Sequence, residues 1–268
     1  MRARTLTRAS VVSVRSGEVG RSDNVARHGV ARVLSKLGIC SRSTAAAWIA
    51  QGRVALAGRV LRDPEHPIFA DAIARIRVDG RPLAACARRY LMLNKPRGLV
   101  TSTRDEQARD TVYRCFDGAG LPWLAPVGRL DKASEGLLLF CNDPVWAATV
   151  TDPERGPVKT YHVQVDAVPD ASQLQAMRAG VVDARGVRLR ASAVALLRTG
   201  GRNAWLEITL DEGRNRQIRR LLAALDLGVL RLVRVAIGEL RLGDLAKGDW
   251  RELSADEVAA LTAGTAAA

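Results

Sequence analysis

A chain of 268 residues with 47% hydrophobic composition can fill one large core or two smaller ones. Its net charge of +13 is uneven: residues 1–89 hold 17 basic side chains against 6 acids, residues 90–268 hold 24 against 22. The first third therefore reads as a polyanion-facing module that neutralises phosphates, and the absence of any run of 18 apolar residues excludes a membrane-spanning helix.

Residues 1–27 lack hydrophobic periodicity and read as a flexible basic tail. Arg2, Arg4, Arg8 and Arg15 among serines and threonines also suit an organellar transit peptide; a basic arm on a cytoplasmic protein is the reading adopted. Val30, Val33, Leu34 and Leu37 then recur at helical spacing up to Gly38, and Ser41 opens a second helix through Ala50, with Ala45, Trp48 and Ile49 on one face. Val54 to Val60 reads as strand, turn, strand, and Ile73 to Val78 as a further strand before the Asp79-Gly80 turn. Helix, Ser-Arg turn, helix and paired Gly-Arg-Val strands resemble the small RNA-binding module first seen in ribosomal protein S-four. The resemblance implies that Arg32, Lys36, Arg42, Arg53 and Arg59 present cations to an RNA backbone. The module is placed at 28–83.

Residues 84–89 are expected to link it to a second domain over 90–258, followed by a tail over 259–268. Trp205 to Leu210 alternates strictly and buries Leu206, Ile208 and Leu210. A helix is expected from about Asn215 to Leu225 and a strand from Leu230 to Val235. Strands and helices without regular alternation argue an α+β fold. Cys40, Cys86, Cys115 and Cys141 lie 46, 29 and 26 residues apart with no Cys-x-x-Cys pair, and His28, His66 and His162 are scattered. This argues against a zinc site and for reduced thiols.

The stretch Gly128-Arg129-Leu130-Asp131-Lys132-Ala133-Ser134-Glu135-Gly136-Leu137-Leu138-Leu139-Phe140 carries the strongest chemical signal. Residues two apart in an extended segment point the same way, so Arg129 can lie beside Asp131 and favour its ionised form, and an ionised, positioned carboxylate is a nucleophile or a base. Glu135, four residues on, would allow a glycosidase-like carboxylate pair, but Lys132 between the two and the basic module favour a turn or helix-start role for it. Together with Tyr90-Leu91-Met92-Leu93-Asn94-Lys95-Pro96-Arg97-Gly98, Lys159-Thr160-Tyr161-His162-Val163 and Glu212-Gly213-Arg214-Asn215-Arg216-Gln217-Ile218-Arg219-Arg220, this string resembles, in order, the motifs of the ribosomal pseudouridine synthases.

That resemblance implies a mixed, mainly antiparallel sheet flanked by helices, with a catalytic cleft across it, and isomerisation of a ribosomal RNA uridine without metal or cofactor. Asp131 would be the catalytic carboxylate, Tyr161 would stack under the flipped uracil with its hydroxyl placed for proton transfer, and Arg219 would pair with Asp131. Arg129 and Arg216 would bind substrate, and Ile218 would form an apolar wall. Lys95 joins the substrate-binding set, with turn shaping as its alternative. The expected partner is ribosomal RNA or a pre-ribosomal subunit, engaged by a monomer. Glu-Gly-Arg-Asn-Arg-Gln favours large-subunit RNA over small-subunit RNA. A non-catalytic RNA-binding or assembly factor is the rival reading; a DNA-binding role is disfavoured by the lack of a recognition helix.

Overall fold

A computed structural model of the chain describes residues 28–83, 87–102 and 109–263. The tail expected over 1–27 and residues 84–86 of the expected linker lie outside the described residues. In the N-terminal part, α1 (Val30–Lys36) ends at Gly38, whose φ of +71° favours glycine. The Ser41 side chain caps α2 (Arg42–Ala50) by accepting from Thr44 N at 3.0 Å. Strands β1 (Val54–Leu56), β2 (Arg59–Val60), β3 (Ile76–Val78) and β4 (Arg81–Pro82) pair antiparallel in the order β2-β1-β3-β4. Val30, Leu34, Ala45, Ile49, Val54 and Ile76 are buried together between helices and sheet.

Two expectations fail here. Leu37 is exposed rather than core, and the strand expected over Ile73–Val78 starts only at Ile76, after a 3₁₀ helix over Ala70–Arg75. Ile73 and Ile76 both face the core because they stand three apart, the repeat of a 3₁₀ turn and not of a strand.

The rest of the chain is organised by one nine-stranded sheet. Its strands are β5 (Tyr90–Lys95), β6 (Ala125–Val127), β7 (Glu135–Cys141), β8 (Lys159–Val165), β9 (Ala193–Thr199), β10 (Ala204–Leu210), β11 (Val229–Ile237), β12 (Leu240–Arg241) and β13 (Trp250–Glu252). The main path runs β9-β10-β8-β11-β7-β5-β13, with β12 beside β11 and β6 beside β7. All these pairings are antiparallel except β11 with β7. Helices α3 (Pro144–Val150), α4 (Ala171–Ala179), α5 (Gln217–Ala223) and α6 (Ala255–Ala263) flank it. The α+β class and the mixed, mainly antiparallel sheet are as expected.

Strand chemistry follows position. Central β7 is apolar on both faces, Leu137 and Leu139 packing into one cluster and Leu138 and Phe140 into another, so its sequence is a continuous apolar run. Lateral β10 alternates: Leu206, Ile208 and Leu210 are buried while Trp205, Glu207 and Thr209 are only partly covered. Each fully buried large apolar side chain contributes about 1.5–3 kcal/mol. The domain does not end at 258: α6 continues to Ala263 and Leu261 is buried against β5 and β7 residues, so the tail expected from 259 is helix as far as Ala263. The expected helix over Asn215–Leu225 is shorter, and begins only after Arg216, which adopts a left-handed φ of +50°.

Candidate active site

Asp131 lies in the loop between β6 and β7, and its backbone is held with unusual completeness. Leu130, buried in the cluster with Leu93, Leu138 and Phe140, anchors the loop. Every carbonyl from Leu130 to Ser134 then accepts a hydrogen bond. Thr101 Oγ1 donates to Leu130 O at 2.7 Å, and Ser134 N and Lys95 Nζ donate to Asp131 O at 2.9 and 3.2 Å. Gly98 N donates to Lys132 O at 2.8 Å, Arg219 Nη2 to Ala133 O at 3.3 Å and Lys95 Nζ to Ser134 O at 2.8 Å. A side chain on such a loop is pre-positioned before substrate arrives.

The Asp131 carboxylate receives Arg216 Nη1 at 3.2 Å. This corrects two expectations. Arg129 is exposed on the cleft wall, with no hydrogen bond to Asp131. Arg219, the expected partner, bonds the loop backbone instead. The left-handed turn at Arg216 places that residue ahead of the helix, and its guanidinium, rather than that of Arg219 within the helix, bonds the carboxylate. Arg219 remains close: burial, then the neighbouring Arg216, hold it below the ordinary arginine range, with Asp131 opposing, and its Nε is buried without a partner.

Asp131, Arg129, Arg216, Ile218, Arg219 and Tyr161 all line one cleft of about 780 Å³, with Val127, Leu210, Leu232 and Ile237 as apolar wall. Half-buried Tyr161 comes from β8, opposite Ile208 of β10 and Arg234 of β11. Lys95 does not join them. It is fully buried, and its ammonium donates to three carbonyls, of Pro96 at 3.1 Å, Asp131 and Ser134. The substrate-binding expectation for Lys95 is therefore corrected in favour of the turn-shaping one.

Two other charged residues find unforeseen partners. Arg220 forms a mostly buried ion pair with Asp183 at 2.6 Å, so it does not share a free cationic face with Arg216 and Arg219. Glu135 is neither turn nor helix start but the first residue of β7, buried and held by Arg231 at 3.0 and 3.1 Å and Lys247 at 2.5 Å. Sequence reasoning also missed Lys159 and Arg234, both in the cleft lining. The available signal was a cation at the buried parity of an apolar strand: Leu232, Arg234 and Ala236 share one face of β11.

In the N-terminal module, Arg32, Lys36 and Arg59 are exposed without a carboxylate partner among the described residues. Arg42 pairs with Glu65 at 3.1 Å, and Arg53 forks onto Asp79 at 2.9 and 2.6 Å while lying 4.9 Å over the Trp48 ring. The expected five-cation grip therefore contains three cations free of acidic partners and two already neutralised. Among the described residues, no group of three or more His, Cys, Asp or Glu side chains is placed to hold a metal ion.

The sequence pattern of the RNA pseudouridylate synthase family matches residues 89–224, and that of the S4 domain matches residues 30–68. An uncharacterized RNA pseudouridine synthase of Aquifex aeolicus is 35% identical over 245 residues, covering 86% of this chain and 92% of the relative. The ribosomal large subunit pseudouridine synthase E of Xanthomonas campestris pv. campestris is 42% identical over 176 residues, covering 60% of this chain and 93% of the relative. A crystal structure of a pseudouridylate synthase superposes with a TM-score of 0.62 at 27% identity, covering 87% of this chain and 99% of the other. The chain thus belongs to the RNA pseudouridylate synthase family and carries an S4 domain ahead of the synthase fold.

Proposed function

We propose that this pseudouridine synthase isomerises a specific uridine of ribosomal RNA, of the large subunit, with Asp131 as the catalytic carboxylate. The observation that carries the reading is the placement of Asp131: a partly exposed carboxylate on a loop whose five carbonyls are all bonded, in a cleft that Tyr161 and Ile218 also line. Making pseudouridine requires breaking the base–ribose bond, turning the free base and rejoining it through carbon five. The target nucleotide must leave its stack to reach such a cleft. Asp131 then acts at the ribose, Tyr161 stacks on the base, Ile218 and its apolar neighbours retain the detached ring, and Arg129 and Arg216 bind the nucleotide. Arg219 acts as a positioning residue through Ala133 O.

The choice of ribosomal RNA is supported by relatives named ribosomal large subunit pseudouridine synthase E, from Xanthomonas campestris pv. campestris and Vibrio vulnificus. The S4 domain, with Arg32, Lys36 and Arg59, supplies sequence-independent phosphate affinity, to which Arg42 and Arg53 contribute once their acids yield. Among the described residues, no helix is long and apolar enough to cross a membrane.

The test is a map of pseudouridines in ribosomal RNA from cells with and without the gene. One position in large-subunit RNA should revert to uridine. An unchanged map would refute the function, and a loss confined to small-subunit RNA would reassign the substrate.

A further inference from the structure

Arg234 is 94% buried, since only 6% of its surface is exposed, and it lies in the lining of the cleft. Nε donates to Leu137 O at 2.7 Å, while Nη2 is buried without any partner. No carboxylate pairs with it among the described residues. A guanidinium desolvated in this way is costly unless something completes it.

Its backbone position is fixed relative to Asp131. Arg234 pairs in register with Gly136, two residues beyond the Ser134 end of the bonded loop. A β-carbon at Gly136 would stand 2.3 Å from Arg234 O, and the φ of +98° there also demands glycine. On its other side Arg234 pairs with Tyr161. Lys159, on the same strand as Tyr161 and also in the cleft lining, is held below the ordinary lysine range by burial and then by Arg234. Asp152, also in the lining, opposes that effect on Lys159, but no carboxylate bonds Arg234 itself among the described residues.

Resting on the function proposed above, we infer that Arg234 is a further catalytic residue: it receives a carbonyl oxygen of the detached uracil and carries the negative charge the ring acquires. When the C1′–N1 bond breaks, its electron pair goes to the ring and spreads over N1 and the two carbonyl oxygens. When C5 bonds to C1′, the C5 proton is lost and N1 is protonated, so atoms and charge balance. A buried cation in the cleft wall favours the charged, detached ring over the neutral bound base. With only Nε tied down, a small turn of the side chain brings the terminal nitrogens to that oxygen.

The test uses the full chain in single-turnover reactions with ribosomal RNA transcripts made with either uridine or 5-fluorouridine. Loss of the starting nucleoside at the target site is read by mass spectrometry. Fluorine stabilises the departing ring anion, so less help is needed from the protein. Arg234→Gln should lose about 100-fold on uridine and roughly ten-fold less than that on 5-fluorouridine. Arg234→Lys, which keeps the charge but not the reach, should lose less on uridine and show the same bias; it carries the test if circular dichroism shows Arg234→Gln unfolded. Equal losses on both transcripts, or none, would overturn the assignment. Turnover of the uridine transcript by wild type separates the two readings: its absence refutes the proposed function itself.

Discussion

The Lys95 ammonium sits beneath the backbone of Asp131, bonding the carbonyls of Asp131 at 3.2 Å and Ser134 at 2.8 Å from a fully buried position. A third bond, to Pro96 O at 3.1 Å, uses its last proton. Three donors meet three acceptors, and only the charged amine has three donors. The geometry of the Asp131 loop is thereby tied to the protonation of a lysine that never reaches the cleft.

Burial lowers the Lys95 pKa to about 8, with Cys115, Glu135 and Asp131 opposing. Above that pH the amine loses a donor and one carbonyl loses its bond, so kcat should fall through a limb near pH 8. Lys95→Met should lower kcat by roughly 10–100-fold through misplacement of Asp131, remove that limb and leave RNA affinity unchanged. Stability moves the other way. The unfolded chain holds the extra proton between about pH 8 and the ordinary lysine range, so this group makes the fold more stable as pH rises through that window. A kcat profile whose alkaline limb survives in Lys95→Met would show that another group titrates.

The three arginines around α5 should separate cleanly. Arg216→Ala removes the ion pair to Asp131 and should lower single-turnover rates more than RNA affinity. Arg219→Ala removes the bond to Ala133 O and should act similarly but more weakly, because four other loop carbonyls stay bonded. Arg220→Ala strips a partner from Asp183, whose side chain is only 4% exposed, and should lower the melting temperature with a normal rate per folded molecule. Thermal melts alongside single-turnover kinetics distinguish these outcomes. A catalytic loss without a melting shift in Arg220→Ala would mean that the Asp183 pair is incidental.

Much of this arrangement is legible in the sequence because alternation and motif order survive folding. Leu206, Ile208 and Leu210 mark the buried face of their strand, and the Gly128–Phe140 string marks the bonded loop and the buried strand after it. What eludes sequence is the pairing of charges. Spacing placed Arg129 beside Asp131, but the chain bends at Gly128, φ +74°, and turns again after Asp131, so it is not a straight strand. The motif resemblance nominated Arg219, but Arg216 takes a left-handed conformation costing about 1 kcal/mol, which no local pattern announces. Arg234 owes its burial to β8 and β7, which flank its strand on either side, a long-range pairing that local spacing does not specify.

Asp131→Asn should abolish pseudouridine formation, because it removes the ionised oxygen while keeping the shape. The loop is bonded through its backbone, so the melting temperature and RNA affinity should stay near wild type; only the contact from Arg216 weakens. Turnover by the purified variant at a rate near wild type would remove Asp131 from the chemistry.

Deleting residues 1–83 should weaken RNA binding and flatten its salt dependence. That segment contains most of the chain's excess positive charge, 15 basic residues against 6 acids, and each neutralised phosphate adds a term of about −0.9 to the slope of log affinity against log salt on a duplex. Arg32, Lys36 and Arg59 have no acid to leave before meeting a phosphate, so removing those three alone should recover much of the effect. Arg42 and Arg53 must first part from Glu65 and Asp79, and alanine there should change the slope less. The remaining domain should stay folded on the cores around β7 and β10, since Leu91, Leu138, Leu206 and Ile208 bury against partners within it. Filter binding at several salt concentrations, with circular dichroism on the truncated chain, decides the matter: an unchanged slope would mean that the basic third serves something other than the RNA backbone.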